Sequence, residues 1–413
     1  MTAAEIDRPA RTFPTRFREG EARAARMGRP LRIFGRVREV DEELMQRIGR
    51  AMTERDELGG RLAEAIRTRA GDPGKVTLRQ LRTALHEGLD AVPDAPPALA
   101  DFIRTNTEVP DWVEWDLVEE GARVYNRLGQ NAADVLTQLS LVGGYRFGGP
   151  TDLLVATGGL TGDMTRRRLA ETQKWAITLG QPGALEPGGE AWRLTLHVRA
   201  MHALVNAEFA DTWDTERWGL PINQADLAST LGLFDGVLLI GSRALGARVT
   251  RAESRAVMHQ WKWIGYLMGV DDDFLVDSER ERHRISYHVL LAQSDITDAG
   301  PQLAQAVVEA QADRTYPGWP AGLQGLRAKW EQERLLSMLT VFLGPTSMRE
   351  LGLPLRPPWA HAYVAGLNLW RYGVLNRTRW GRERMDRWGA RVSQRILDSY
   401  FGDEAEDVGQ LRA

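Results

Sequence analysis

The chain of 413 residues contains no cysteine. That excludes a disulfide framework, an iron–sulfur cluster, a cysteine-based zinc site, a thiolate-ligated haem and a covalent c-type haem attachment. If iron is bound, histidine is the leading protein ligand. Also lacking is an uninterrupted apolar run of the roughly 18 to 20 residues that span a bilayer. The best candidate, Leu231 to Gly241 (LGLFDGVLLIG), is broken by Asp235 and reads as a buried helix. Neither sign of charge dominates: 53 Lys and Arg stand against 56 Asp and Glu, for a formal net charge of -3. Such a balance offers no overall field to attract nucleic acid or anionic lipid. No apolar stretch, twin arginine or small-residue cleavage pattern marks the first 30 residues as an export signal, so a cytoplasmic location is expected. The HExxH, GxSxG, GxxxxGK[ST] and strand-linked GxGxxG motifs are absent too, which removes support for the common hydrolase, kinase and nicotinamide readings.

What is present is helical periodicity. Residues 1–38 are basic and carry Pro9, Pro14 and Pro30, which predicts an extension that is at best locally ordered. Leu44, Ile48, Met52, Leu58, Leu62 and Ile66 recur at steps of three and four, and a further helix covers Leu78 to Leu89, making 39–100 an N-terminal helical cap. The main body, 101–400, reads as successive helices, and 401–413 as an acidic tail. Period-two alternation and hairpin dipeptides are not evident, so the fold class is all-α. The Trp- and Arg-rich stretch near the C-terminus fits packing on the core or on another subunit equally.

Within the body, AWRLTLHVRAMHALVNAEF from Ala191 to Phe209 places His202 on a stripe with Val198, Val205 and Phe209. The imidazole is therefore expected to face the apolar interior and to need a partner there. A backbone carbonyl, a hydroxyl or a metal, foremost a haem iron, would serve. His197 and His202 diverge by about 140° on one helix, as do His283 and His288, so close pairs do not build a dinuclear site. His197 is the rival to His202, since Met201 and Leu204 give it an apolar side. His259 is expected to pack or support rather than ligate. The run Asp271-Asp272-Asp273 suits a solvated helix start better than a cation site. Arg168 and Thr172 share a helix face, with Trp175 one turn on, and a helix, a loop and an antiparallel helix would set them and His202 around a shared cavity.

The segments VPDWVEWD from Val109, RLAETQKW from Arg168, VRAMHALV from Val198, LPINQADLASTLGLF from Leu220 and HQWKWIGYLMGVDDDFL from His259 together resemble the rubber oxygenases, or latex clearing proteins. They also resemble the wider MpaB-type haem oxygenases, which include the enzyme cleaving the terpenoid side chain in mycophenolic acid biosynthesis. The resemblance spans roughly Val109 to Leu275. It implies an all-α, globin-like core with extra terminal helices, and a non-covalent haem b held by His202, with Arg168 and Thr172 supporting the pocket. The implied chemistry is O2-dependent oxidation or cleavage of a carbon–carbon double bond in an apolar, unsaturated substrate. Hydroxylation of a natural-product intermediate, and passive haem or ligand binding, stay as alternatives. Rubber oxygenases carry a lysine immediately before the pocket threonine, where this chain has Glu171, and an upstream glutamate, for which Asp152 is the nearest acid. Glu171 is thus either a base or a solvated helix residue. These departures point away from polyisoprene and towards a small metabolite.

Overall fold

The computed structural model describes residues 13–158, 163–312, 314–316 and 318–401, with side chains from 167 onward in the second span. Among the described residues there are helices and turns but no β-strand. The acidic stretch beyond Phe401 and residues 1–12 lie outside the described residues.

Local chemistry sets many of the helix starts. Asp41, Thr77, Asn223, Thr250 and Ser278 each accept a backbone N–H with the side chain, and Thr77 and Thr250 complete reciprocal capping boxes with Gln80 and Glu253. Two long helices, Trp115–Leu128 and Arg251–Leu267, pack along their length and form the spine of the main core. Their close approach depends on Gly121, where a Cβ would sit 2.5 Å from the Ala256 carbonyl oxygen. Trp261 and Trp263, both buried, lie on the second helix; Trp261 stacks on Phe234 at 5.2 Å between centroids and meets Trp175 edge-on at 6.0 Å.

From residue 13 onward the basic N-terminal segment is tied to the body rather than only locally ordered. The backbone N–H groups of Thr15 and Arg16 donate to Glu216 and Arg217, and those of Arg18 and Gly20 to Ala292 and Gln293. Arg16 is fully buried and forks onto Asp226 at 3.1 and 2.6 Å, while Asn223 donates to the same carboxylate at 2.7 Å. The guanidinium crosses Gly149, where a Cβ would come within 2.5 Å of it. Gln224 clasps the backbone of Gly269 and Asp271 at 2.9 and 2.8 Å. The Asn-Gln-Ala-Asp run is therefore a structural clamp, holding the N-terminal segment and the 269–273 turn to the body.

The segment expected as one buried helix is two, Gln224–Phe234 and Gly236–Ala244, broken at Asp235. Taken together, Gln224–Ala244 is long and apolar enough to cross a membrane by length and composition, with a mean hydropathy of 1.3 over its most apolar 18 residues, of which 72% are buried inside the protein. The expectation from uninterrupted runs misses it because Asp235 splits the run. That carboxylate is fully buried and held at 2.7 Å by Arg282, itself fully buried. Burial still pushes the Asp235 carboxyl up, against the pull of Arg282.

Candidate active site

The site is built on a helical hairpin. Helix Asp163–Thr178 turns back through residues 179–189 into helix Glu190–Phe209. The turn is bolted to the spine: Gln260 donates to the Leu179 carbonyl at 2.9 Å and Trp263 to that of Leu185 at 3.0 Å. At this end the two helices are tied to each other by the Trp175 indole, which donates to the Thr195 hydroxyl at 3.0 Å, and by the Lys174–Glu190 ion pair at 3.2 Å. Seven residues from the tie, about 10 Å or two turns along each helix, stand Arg168 on one helix and His202 on the other.

Beyond the tie the hairpin is not closed by its own side chains. Leu194, Val198 and Val205 are half-buried, Met201 is 41% exposed, and Thr172 on the facing helix is exposed. The stripe expected to face the interior is thus the partly open one. The face packed into the core carries Trp192, Leu196, Ala200, Ala203 and Leu204. This helix is apolar on two sides, and periodicity alone does not say which side protein covers.

His202 sits on the border between the open apolar stripe and a small cavity of about 20 Å³ with a mixed lining that includes Asp56, Arg199, Asn206, Ile222, Leu227 and Met268. Its Nδ1 is buried and has no hydrogen-bond partner. Burial pushes the imidazolium down to about 4, partly offset by Asp56, so the ring is neutral at neutral pH. The Asp56 carboxylate is gripped by Arg199 at 2.6 and 2.7 Å, and Arg199 also donates to Asn106 at 3.0 Å. Asp56 and Arg199 were not singled out by the sequence. Arg199 gave a faint signal, a charge on the core face one turn from His202; Asp56, in the helical cap, gave none.

His259, His283, His288 and His361 each hold a protein partner through the ring, although the buried Nδ1 atoms of His283 and His361, like that of His202, have none. His259 accepts the Glu114 N–H at 2.9 Å and pairs with Asp277 at 3.1 Å. His288 accepts from the Asp41 N–H at 2.9 Å and contacts the Arg284 carbonyl at 2.7 Å. His283 meets Glu279 at 3.2 Å, and His361 meets the Ala244 carbonyl at 3.1 Å. His86 is exposed, and His197 is half-buried with an interaction of its own. The aspartate run 271–273 is paired with Arg47, at 2.9 Å to Asp271 and 2.5 Å to Asp273. Among the described residues no group of three or more His, Asp or Glu side chains is arranged to hold a metal ion.

Arg168 is half-buried and donates to the Thr157 hydroxyl at 3.2 Å. Its charge also acts on Tyr145, a buried phenol pushed up by burial and partly drawn back by that cation. Thr157 closes the short helix Pro150–Ala156, at whose other end Asp152 sits. The Asp152 Oδ2 accepts the Gly149 N–H at 2.9 Å and the Thr297 hydroxyl at 3.0 Å, so this acid holds its own turn in place. Glu171 takes an ion pair from Arg167 at 3.0 Å, one helix turn back. The structure thus places Arg168 and Thr172 on one helix of the hairpin and His202 on the other, does not bring Arg168 or Thr172 into the cavity at His202, and engages Glu171 and Asp152 locally.

A haem needs an unprotonated imidazole, an apolar slot and a cation for its carboxylates. The residue types present fit it in kind, with a neutral histidine that has an unpartnered buried nitrogen, a half-exposed apolar stripe beside it and Arg168 on the facing helix, while the cavity at His202, about 20 Å³, is smaller than the group itself.

Fold and site together define an all-α protein whose helical hairpin carries a single-histidine pocket. Residues 128–378 match the family described as ER-bound oxygenase mpaB/B'/Rubber oxygenase, catalytic domain. That is more than half of the chain, and the chain belongs to this family. The rubber oxygenase of Streptomyces sp. (strain K30) is 26% identical over 112 residues, which are 26% of this chain and 28% of that protein. The chain therefore aligns with little more than a quarter of that relative's length. The structure of latex clearing protein in the closed state shares the fold, with a TM-score of 0.62 and 19% identity over 82% of this chain and 91% of that one. The family match extends about 100 residues beyond Leu275, through helices in which the sequence carries no recognisable motif.

Proposed function

We propose that this chain is a haem b-dependent oxygenase that uses O2 to oxidise or cleave a carbon–carbon double bond in an apolar, unsaturated substrate. The observation that carries this reading is His202, whose buried Nδ1 lacks a partner beside an apolar stripe that protein leaves half-open. Family membership supports an oxygenase, and the residues support the cofactor.

In this reading His202 holds the iron and stays neutral because its surroundings disfavour the imidazolium. Haem, when bound, supplies the activation of O2 that a carbon–carbon double bond does not undergo unaided. Arg168, anchored on Thr157, offers its guanidinium to a carboxylate at the hairpin mouth. Thr172 presents a hydroxyl donor one turn along. Val198, Met201 and Val205 offer an apolar wall that favours an apolar substrate over a polar one. Glu171 is paired with Arg167 and is therefore set to position that helix turn rather than to take a proton. Cleavage would place one oxygen atom of O2 on each former alkene carbon and give two carbonyl groups.

Oxygen uptake with polyisoprene oligomers, carotenoids and prenylated aromatic compounds tests the reading, with carbonyl products identified by mass. Uptake matched by carbonyl formation with at least one of them is the expected result. A haem-loaded protein that consumes no oxygen with any of them would oppose it.

A further inference from the structure

The net charge of -3 conceals a strong local excess. Between Arg371 and Arg395 there are eight arginines and two acids, Glu383 and Asp386, a local charge of +6. Glu383 is paired with Arg379 at 3.2 Å, and Asp386 with Arg127 at 2.5 Å. Arg377, Arg382, Arg384 and Arg387 remain exposed. The same corner shows large apolar side chains to solvent: Leu369 is 67% exposed, Trp370 56%, Val374 57% and Trp380 58%.

A second corner repeats the composition. The helix Arg29–Phe34 exposes Ile33 at 68% and Phe34 at 54%, ringed by Arg29, Arg32, Arg36 and Arg38, with no acid among residues 29–38. A relay of contacts through the protein links the two corners. Phe34 packs on His283 at 5.9 Å, His283 meets Glu279, Glu279 pairs with Arg243, and the adjoining Ala244 carbonyl meets His361 on the helix Trp359–Gly373 that leads to Trp370.

Isolated exposed apolar residues are ordinary; two aromatic tips, each surrounded by arginines, are not. From these we infer that the chain docks peripherally on an anionic lipid surface, with Ile33–Phe34 and Leu369–Trp370–Val374–Trp380 entering the headgroup boundary and the arginines contacting lipid phosphates. Aromatic and aliphatic side chains lower their free energy at that boundary, and arginine forks match phosphate oxygens. The charge selects this occupant over a second copy of the chain, since two arginine-rich corners repel. The inference rests on surface residues and does not depend on haem binding.

Flotation of the full chain with phosphatidylcholine vesicles, with and without phosphatidylserine, tests it. Binding is expected only to the anionic vesicles and is expected to fall at high salt. Phe34→Ser with Trp370→Ser should weaken binding by about tenfold, and so should Arg377→Glu with Arg382→Glu, with helical content unchanged by circular dichroism. His202→Ala should bind vesicles like the parent, which separates this outcome from any failure of the haem reading. Absence of flotation with anionic vesicles would overturn the inference, as would binding indifferent to both double variants. Dimerisation by ultracentrifugation, abolished by Trp370→Ser and accompanied by no vesicle binding, would assign the face to a second copy and overturn it as well.

Discussion

The Trp175 indole N–H donates to the Thr195 hydroxyl at 3.0 Å, both side chains being buried, and this bond joins the two helices that carry the candidate site. The Thr195 hydroxyl donates in turn to the Ala191 carbonyl at 2.7 Å, so the pair is fully satisfied. Thr195→Val keeps the shape and removes the acceptor. A buried N–H left without a partner costs about 1–3 kcal/mol, so chemical denaturation should show a loss of that size. An unchanged midpoint would mean that the hairpin is held elsewhere.

Arg16 and Asp226 form a buried ion pair 210 residues apart in sequence, supported by Asn223. Removing one partner of such a pair strands the other charge and costs roughly 3–5 kcal/mol. Arg16→Ala should therefore unfold at markedly lower urea concentration. Arg16→Met combined with Asp226→Leu should recover much of the loss, because the pair's main cost is desolvation.

These two contacts show what was legible in the sequence. The His202 helix was predicted over Ala191–Phe209 and runs Glu190–Phe209, because a long periodic segment flanked by glycine declares itself. The break at Asp235 was visible as an interruption, but its meaning depends on Arg282, a partner brought by the fold. The helix Gln324–Glu350 runs across a kink at Gly344, where φ is 75°. Arg16 looked like part of a solvated basic arm because composition does not reveal a buried acid two hundred residues away. Asp56 beside His202 is hidden for the same reason. The Asn223–Asp226 segment signalled the family, and its side chains turn out to fasten the scaffold.

Glu279 should dominate a step in acid stability. Burial alone would raise its carboxyl, but hydrogen bonds from His283, Arg243 and Ser254 outweigh this and hold it at about 2, against 4.5 ordinarily. A depressed carboxyl stabilises the fold fully above its unfolded value and loses that contribution as pH falls through the folded one. The window is therefore pH 4.5 down to 2, and the contribution is on the order of 3 kcal/mol. Glu279→Gln should reduce stability at pH 7 and flatten the decline between those limits, measured by denaturation at a series of pH values.

Arg168 and Glu171 should separate in kinetics. Arg168→Ala removes the cation at the hairpin mouth and should lower oxygen uptake by at least tenfold, about 1.4 kcal/mol or more, with the fold intact. Glu171→Gln weakens the largely exposed Arg167 pair and should change uptake by less than about threefold and stability by under about 1 kcal/mol. A large loss with Glu171→Gln would identify it as a base after all.

The central claim is that His202 holds a haem iron. The direct measurement is the visible absorption spectrum of the purified chain after haem supplementation, compared with His202→Ala and His197→Ala. The account predicts a Soret band in the parent and in His197→Ala, and its loss in His202→Ala with unchanged helical content. A parent protein without the band, or a band that survives His202→Ala and vanishes in His197→Ala, would contradict it.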